Sequence, residues 1–354
     1  ALLLLACLSA GKTAVPLSPR YGRAHVEKIR RAAGLSCILT EQGPLTVGIP
    51  SPEEETLEGI RLILYTSGTT GVPKGAMLAD DGLLVNLLAV EGYFDIRGQI
   101  RIARPLYHCA VLMGEFFLSL VKGVDIVFDG GDFQPLRLLD AIEEDGTTVL
   151  CGTPTLFYLL CGAARRRGRV LPLHSAAVSG ECMTPSVAVR MREAMPETVI
   201  YHVYGLTEAG PRVSYLPPEL FDKAPGSVGT PLPCWEYTIE DGELFLLGES
   251  RMKGYYRCPD ETRRALCGGW LHTGDIADTD ADGRLYIRSR RDDLIIRAGI
   301  NVYPQEIENA LREEDGIVDV MAYGKRDEVV GQRIHLEAVA PGMTRRELWE
   351  LCRK

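Results

Sequence analysis

Tyr65–Met77 reads YTSGTTGVPKGAM, and this short polar stretch decides how the chain around it is read. Thr66, Ser67, Thr69 and Thr70 supply hydroxyls, Lys74 supplies a cation, and Gly68, Gly71 and Gly75 let the backbone approach a ligand closely. The stretch follows an apolar run, Arg61–Thr66, that reads as a strand. A flexible loop after such a strand is where an α/β protein gathers phosphate-binding amides. The loop is therefore expected to hold a polyphosphate. It is not a Walker A loop, because the order G-x-x-x-x-G-K-[ST] is absent. The competing reading is a flexible surface turn, which seldom combines so many hydroxyls with glycine.

Working outward, short apolar runs alternate with amphipathic ones. Ser36–Thr40, Arg61–Thr66, Asp125–Phe128 and Thr148–Leu150 read as strands. Gly22–Ala33 and Arg137–Glu144 read as helices. This is a βα pattern with buried parallel strands. From Gly226 the texture changes to short strands with Gly and Asp turns, the mark of a β-rich subdomain. After Tyr303, PQEIENALREEDG has Pro and acids in a helix first turn. The strand IVDVMAYGKRD follows, and the chain stops in the helical TRRELWELCRK.

The chain has 354 residues, enough for two domains or one large domain with a satellite. Apolar content of 46% and charged content of 25% are those of a globular enzyme. A net charge of -9 argues against a nucleic-acid partner. Ten scattered cysteines form no C-x-x-C pair and give no zinc spacing, which suits small core thiols in a reducing cytoplasm. The opening ALLLLACLSAGKTAVPLSP lacks the basic flank of a signal peptide and is too short to span a membrane. It is expected to form a buried helix running into a strand at Ala14–Leu17.

YTSGTTGVPKGAM strongly resembles the phosphate-loop signature of the adenylate-forming enzymes: acyl-CoA synthetases, peptide-synthetase adenylation domains and luciferases. Four further segments follow in that family's order. PLYHCAVLMGEF resembles the mouth of the acid pocket, with His108 at the gate. VYGLTEAG resembles the segment in which Tyr204 stacks on adenine beside Gly205. There Thr207 touches the α-phosphate and Glu208 binds Mg²⁺. A hard cation bridging phosphates needs such a carboxylate oxygen. Ser179, Gly180 and Glu181 resemble the backbone strip along the other face of adenine. TGD places Asp275 on the ribose hydroxyls, where two acceptor oxygens suit a vicinal diol. SRRDDLIIRAGINVYPQEIE resembles the hinge segment, with Arg290 on the ribose and Asp292 at the hinge. Ser289 stands where the family usually has Gly, and Ile300 where acyl-CoA synthetases commonly have Glu.

The resemblance implies an α/β protein. Residues 1–290 would be a large AMP-binding domain of βα layers with a β-rich subdomain, incomplete at its start. Residues 291–354 would be a small mobile α+β domain, incomplete at its end. It implies ATP and Mg²⁺, a small carboxylic acid, and a thiol acceptor. Thr66, Ser67, Gly68, Thr69, Thr70, Gly71 and Lys74 would steady the phosphates, with Lys74, His108, Thr207 and Glu208 carrying the chemistry. The hinge segment favours coenzyme A as acceptor. A carrier-protein phosphopantetheine is the alternative, and a non-catalytic remnant or a luciferase-like oxygenase are the other readings. The family's catalytic lysine falls beyond Lys354, so the chain as given is expected to bind ATP but to adenylate poorly. Amino-acid activators carry an Asp where this chain has Ala110, and a buried ammonium without a partner is costly. Val111, Met113, Gly114, Ser179 and Tyr204 would line the acid pocket. They read as apolar and small, so an aliphatic or otherwise uncharged acyl group is expected.

Overall fold

The computed structural model describes all residues except 19–20, 36, 41–42, 47–56, 67–72, 131–132, 313, 315, 328 and 353–354, and the backbone alone at 37 and 44–46. Among the described residues a seven-stranded sheet forms the centre, in the spatial order Thr230–Pro231, Arg212–Leu216, Val199–Gly205, Ser175–Val178, Val149–Gly152, Gln99–Ile102, Asp125–Phe128. The five strands from Val199–Gly205 to Asp125–Phe128 pair in parallel. The other two pair antiparallel at one edge. Val149–Gly152 and Ser175–Val178 are buried throughout. Burial on both faces explains why they read as continuous apolar runs rather than alternating ones.

Helices Pro135–Glu144, Pro154–Arg166 and Pro185–Ala194 connect these strands. Each begins with Pro, whose missing N–H costs nothing in a first turn. Thr153 and Thr184 cap two of them by accepting from Leu156 N and Val187 N, both at 3.2 Å. Their inner faces bury Leu138, Ile142, Phe157, Leu160 and Met191 together. Burying each such side chain contributes about 1.5–3 kcal/mol.

The β-rich region after Gly226 is an antiparallel sheet of Trp235–Glu240, Glu243–Gly248, Trp270–Thr279 and Leu266–Cys267, with Leu285–Arg290 added on Trp270–Thr279. A single turn, Arg291–Asp293, then leads to a separate four-stranded sheet. That sheet holds Ile295–Arg297, Ile300–Val302, Asp319–Asp327 and Gly331–Val339, with helices Pro304–Arg312 and Arg345–Leu351. Thr344 and Glu347 form a capping box on the last helix. Asp292 thus lies in the turn between two sheets. At this turn Arg291 Nη1 pairs with Glu243, which is 4% exposed and also accepts from Gly274 N at 3.2 Å.

Three expectations need correction. Ile60–Thr66 does not join the parallel sheet; it pairs antiparallel with Lys74–Ala79, and Cys37–Thr40 likewise pairs with Gly43–Thr46. Leu62, Ile63 and Leu64 are all buried. A hairpin strand covered on both faces has the same apolar run as a parallel one, so the pattern could not separate them. Ala14–Leu17 forms one bridge, Ala14 with Leu62, rather than a strand. The opening helix, Leu2–Ser9, holds no fully buried residue: Leu4, Leu5 and Leu8 pack on the core, while Leu2 is 82% exposed. Among the described residues no helix is long and apolar enough to cross a membrane.

Candidate active site

The expected phosphate-binding stretch is flanked by two strands, Ile60–Thr66 and Lys74–Ala79, that pair antiparallel. Ser67, Gly68, Thr69, Thr70 and Gly71 lie outside the described residues. Their flanks are fixed, since Thr66 pairs with Lys74 across the hairpin. A third segment, Lys253–Tyr256, docks along the second strand: Lys253 N donates to Met77 O and Met77 N to Gly254 O, both at 2.9 Å, and Tyr256 N donates to Gly75 O at 2.8 Å. This brings the Tyr255 ring under Lys74, whose Nζ lies 5.6 Å from the ring centroid. The Tyr255 hydroxyl donates to Glu208 Oε1 at 2.8 Å. Burial, and then the Glu208 charge, hold the Tyr255 hydroxyl far above its ordinary pKa, so it stays a donor. Two opposite charges, distant in sequence, are therefore registered by one tyrosine that the motifs did not single out.

Thr207 and Glu208 stand in a single turn, Thr207–Ala209, that follows strand Val199–Gly205. Met252 N donates to Glu208 O at 2.8 Å and Ser250 Oγ to Ala209 O at 2.7 Å, which pins the turn. Gly205 is fixed by sterics: a Cβ there would lie 1.8 Å from Pro211 O.

Tyr204, Asp275 and Arg290 form a second group. Asp275 is 4% exposed. Its Oδ1 pairs with Arg290 Nε at 2.9 Å, and its Oδ2 accepts from the Tyr204 hydroxyl. Arg290 Nη1 also donates to Thr273 O at 3.0 Å, and Asp275 N to Thr273 Oγ1 at 3.0 Å. The antiparallel register sets Asp275 directly opposite Arg290. Burial pushes the Asp275 carboxyl above the usual range, and Arg290 and Tyr204 pull it back. The Glu208 charge acts on Asp275, on Arg290 and on the Cys109 thiol. The two groups adjoin in the chain, since strand Val199–Gly205 carries Tyr204 and runs into the turn that holds Glu208.

Ser179, Gly180 and Glu181 follow strand Ser175–Val178. Ser179 N donates to Gly152 O at 2.9 Å, and Thr155 Oγ1 holds Glu181 Oε2 at 2.6 Å. Arg104 Nη1 reaches Ser179 Oγ at 3.4 Å while Nη2 pairs with Glu115 Oε1 at 2.7 Å. His108 stands at the start of helix Cys109–Val111, its ring 4.3 Å from that of Tyr107. Its residue surface is exposed, yet crowding by protein atoms and then the Arg104 charge hold its pKa below the ordinary value. It is not the core histidine of an apolar helix.

The helical segment after His108 contains a π-helical turn, Leu112–Phe117. Val111, Met113 and Gly114 are buried there, and their surroundings are not apolar throughout. Glu115 is fully buried and the Arg212 guanidinium packs on Gly114. Sequence held a signal for both: a charge inside LMGEFF and another opening the buried run RVSYL. Two cavities, of about 200 and 490 Å³, open beside Lys253, and neither is lined by an expected site residue.

The donor set suits Mg²⁺, which is held by one or two carboxylates plus substrate phosphates. Among the described residues Tyr255 occupies one oxygen of Glu208 and nothing pairs with the other. No cluster of three metal-ligating His, Cys, Asp or Glu side chains occurs among them.

The fold is a mixed α/β one built around a largely parallel sheet. The chain matches the model of the AMP-binding enzyme family over residues 1–256 and belongs to that family. It is 30% identical to a feruloyl-CoA synthase of Amycolatopsis sp over 92% of this chain and 72% of that protein. It is 33% identical to a long-chain-fatty-acid–CoA ligase of Salmonella typhimurium over 85% of this chain, and the match spans only 57% of that ligase. The o-succinylbenzoate CoA synthetase of Bacillus subtilis, solved with ATP and magnesium ion, superposes with a TM-score of 0.84 at 25% identity, covering 99% of this chain and 79% of that one. ATP-bound MatB from Rhodopseudomonas palustris also gives 0.84, at 23% identity, over 99% of this chain and 78% of that one, which speaks to the fold alone.

Proposed function

We propose that the chain activates a carboxylic acid with Mg·ATP, forming an acyl-adenylate and pyrophosphate, and then passes the acyl group to the thiol of coenzyme A. The observation that carries this reading is the pairing of two groups that adjoin in the chain: Lys74–Tyr255–Glu208, and Tyr204–Asp275–Arg290. The first offers a cation and a carboxylate to phosphates and their metal. The second offers an aromatic face and a buried carboxylate to a nucleoside. Each Asp275 oxygen has two lone pairs and uses one on Tyr204 or Arg290, so both can still accept from a ribose diol.

In the first step a carboxylate oxygen of the acid bonds to the α-phosphorus and the bond to the bridging oxygen breaks, releasing pyrophosphate. Lys74, with the hydroxyls of residues 66–70, balances charge on the leaving phosphates. Glu208 is the residue that would hold Mg²⁺, with Tyr255 fixing its orientation. Thr207 donates to the α-phosphate, Ser179, Gly180 and Glu181 flank the adenine opposite Tyr204, and His108 gates the acid. In the second step the thiolate attacks the acyl carbon and AMP leaves. Both steps rest on positioning and charge neutralisation. Residues 291–354 act as the small domain turning at Asp292. Similarity to CoA ligases supports coenzyme A over a carrier protein. Free buried thiols such as Cys109 and Cys151 support a reducing cytoplasm.

The test uses the complete protein with Mg·ATP, coenzyme A and a mixed pool of carboxylic acids, read by mass spectrometry. An acyl-CoA of definite mass formed with AMP is the expected result. Acyl-adenylate without thioester would move the acceptor to a carrier protein. No acid-dependent AMP would refute the reading.

A further inference from the structure

Arg104 follows strand Gln99–Ile102, and Ser179 follows strand Ser175–Val178. Strand Val149–Gly152 lies between those two in the sheet. Neighbouring strands sit about 4.8 Å apart, so a side chain from one must cross the end of the next to reach the one beyond. The Arg104 guanidinium does so. Its Nη1 reaches Ser179 Oγ at 3.4 Å while its Nη2 holds Glu115 Oε1 at 2.7 Å. The carboxyl ends of parallel strands are where an open α/β sheet receives its ligand.

In the charge balance of the core this arginine is surplus. Glu115 is fully buried, and Arg212, 1% exposed, packs its guanidinium on the adjacent Gly114. The Arg212 charge also steadies the Glu115 carboxylate. Glu115 and Arg212 already sum to zero, and Arg104 adds a second positive charge. Its side chain is 13% exposed, and its Nε has no partner among the described residues. Burying an ion pair does not of itself stabilise a fold, since apolar side chains of the same volume often do as well or better. What Arg104 does that an apolar side chain could not is reach Ser179.

Ser179 is 4% exposed, so water has little access to its hydroxyl if that contact is lost. Its N donates to Gly152 O at 2.9 Å, which ties the backbone but not the side chain. Two residues on, Thr155 fastens Glu181 Oε2 through Oγ1 at 2.6 Å and N at 3.2 Å. The strip is thus held at both ends, and Arg104 supplies the side-chain hold at the first. We propose that Arg104 is a positioning residue for the nucleotide: it fixes Ser179, and with it the strip Ser179–Glu181 along the adenine. This rests on the nucleotide placement in the reading above. A rival account gives Arg104 only the task of neutralising Glu115 inside the core. The two differ in whether the effect of Arg104 on nucleotide affinity passes through Ser179.

The experiment is a double-mutant cycle on the complete protein, with AMP affinity read by calorimetry and stability by urea unfolding. Arg104→Met and Ser179→Ala are each expected to weaken AMP binding by about tenfold, the low end for one charge-assisted bond. The double variant is expected to weaken it no further than either alone. In pyrophosphate release with the mixed acid pool, Arg104→Met is expected to raise KM for ATP and leave kcat in place, because the base is bound alike in the ground and transition states. Unchanged AMP affinity in Arg104→Met, losses that add in the double variant, or a fall in kcat with KM for ATP held would each overturn the proposal, whatever happens to stability. If Arg104→Met does not fold, Arg104→Lys takes its place in the cycle under the same criteria, since an ammonium keeps the charge beside Glu115 but loses the fork. AMP binding without acid-dependent pyrophosphate release refutes acid activation and leaves this proposal to the cycle. A wild type that binds no AMP sinks both.

Discussion

Tyr204→Phe deletes one oxygen and keeps the ring, so it separates the hydroxyl from the aromatic face. In the folded protein that hydroxyl donates to Asp275 Oδ2, while Arg290 Nε holds Oδ1 at 2.9 Å. Asp275 is 4% exposed, so water cannot replace the lost donor. The lost charge-assisted bond is expected to destabilise the fold by about 1.5–3 kcal/mol. The pH dependence follows from the sign of the shift. Burial already raises the folded Asp275 pKa, and the Tyr204 bond works against that rise. Without the bond the folded pKa climbs further above the unfolded value. The folded state then binds the proton more tightly, so the penalty is absent below the unfolded pKa and grows as pH rises toward the folded one. Urea unfolding of wild type and variant at about pH 4.5 and about pH 8 should show a larger gap at the higher pH. Calorimetry with AMP should show a smaller affinity loss than Asp275→Ala, which forfeits both diol bonds at roughly 1.5–3 kcal/mol each. An unfolding gap that is constant with pH, or unchanged AMP affinity in Asp275→Ala, would refute the reasoning.

Other outcomes follow from the same site. Glu208→Gln and Lys74→Ala should each weaken pyrophosphate formation with the circular dichroism of the fold intact, and an active double variant would sink the assignment. Tyr255→Phe frees a Glu208 oxygen that is held at 2.8 Å. It should raise the Mg²⁺ concentration for half-maximal rate by about tenfold, as loss of an orienting partner does; an unshifted Mg²⁺ titration would contradict this. Buried His202, bonded through Nδ1 to Ser227 O at 2.6 Å, has its pKa lowered by burial to about 4. Its neutral form is stable above the unfolded pKa of about 6.5, and about 2 kcal/mol is lost as pH falls from about 7 to about 5. That slope should vanish from His202→Gln, as followed by unfolding at several pH values.

What the sequence made legible was the grouping of residues that lie together in short contiguous runs. Tyr204 to Glu208 and Thr273 to Asp275 hold their residues together in the chain, and Asp275 meets Arg290 through strand register. What it hid was pairing between distant segments. The apolar run at Leu62–Leu64 is equally good for a parallel strand and for a hairpin packed on both faces, so its partner Lys74–Ala79 went unread. Tyr255 stands in no motif; it matters because Lys253–Tyr256 lies along Gly75–Met77, a contact between segments far apart in sequence. Arg212 was visible as a charge in a buried run, yet only the fold shows that Gly114 faces it.

The pair between Arg291 and Glu243 gives the connecting turn an electrical character. Glu243 is buried, and its counter-charge comes from the linker itself. If the turn rotates, Arg291 withdraws and a carboxylate is stranded one hydrogen bond from Gly274, the neighbour of Asp275. Such a group must then find another cation. A swing at Asp292 would therefore be felt as voltage at Asp275, and its ease would change with salt in a way that a turn of neutral residues would not.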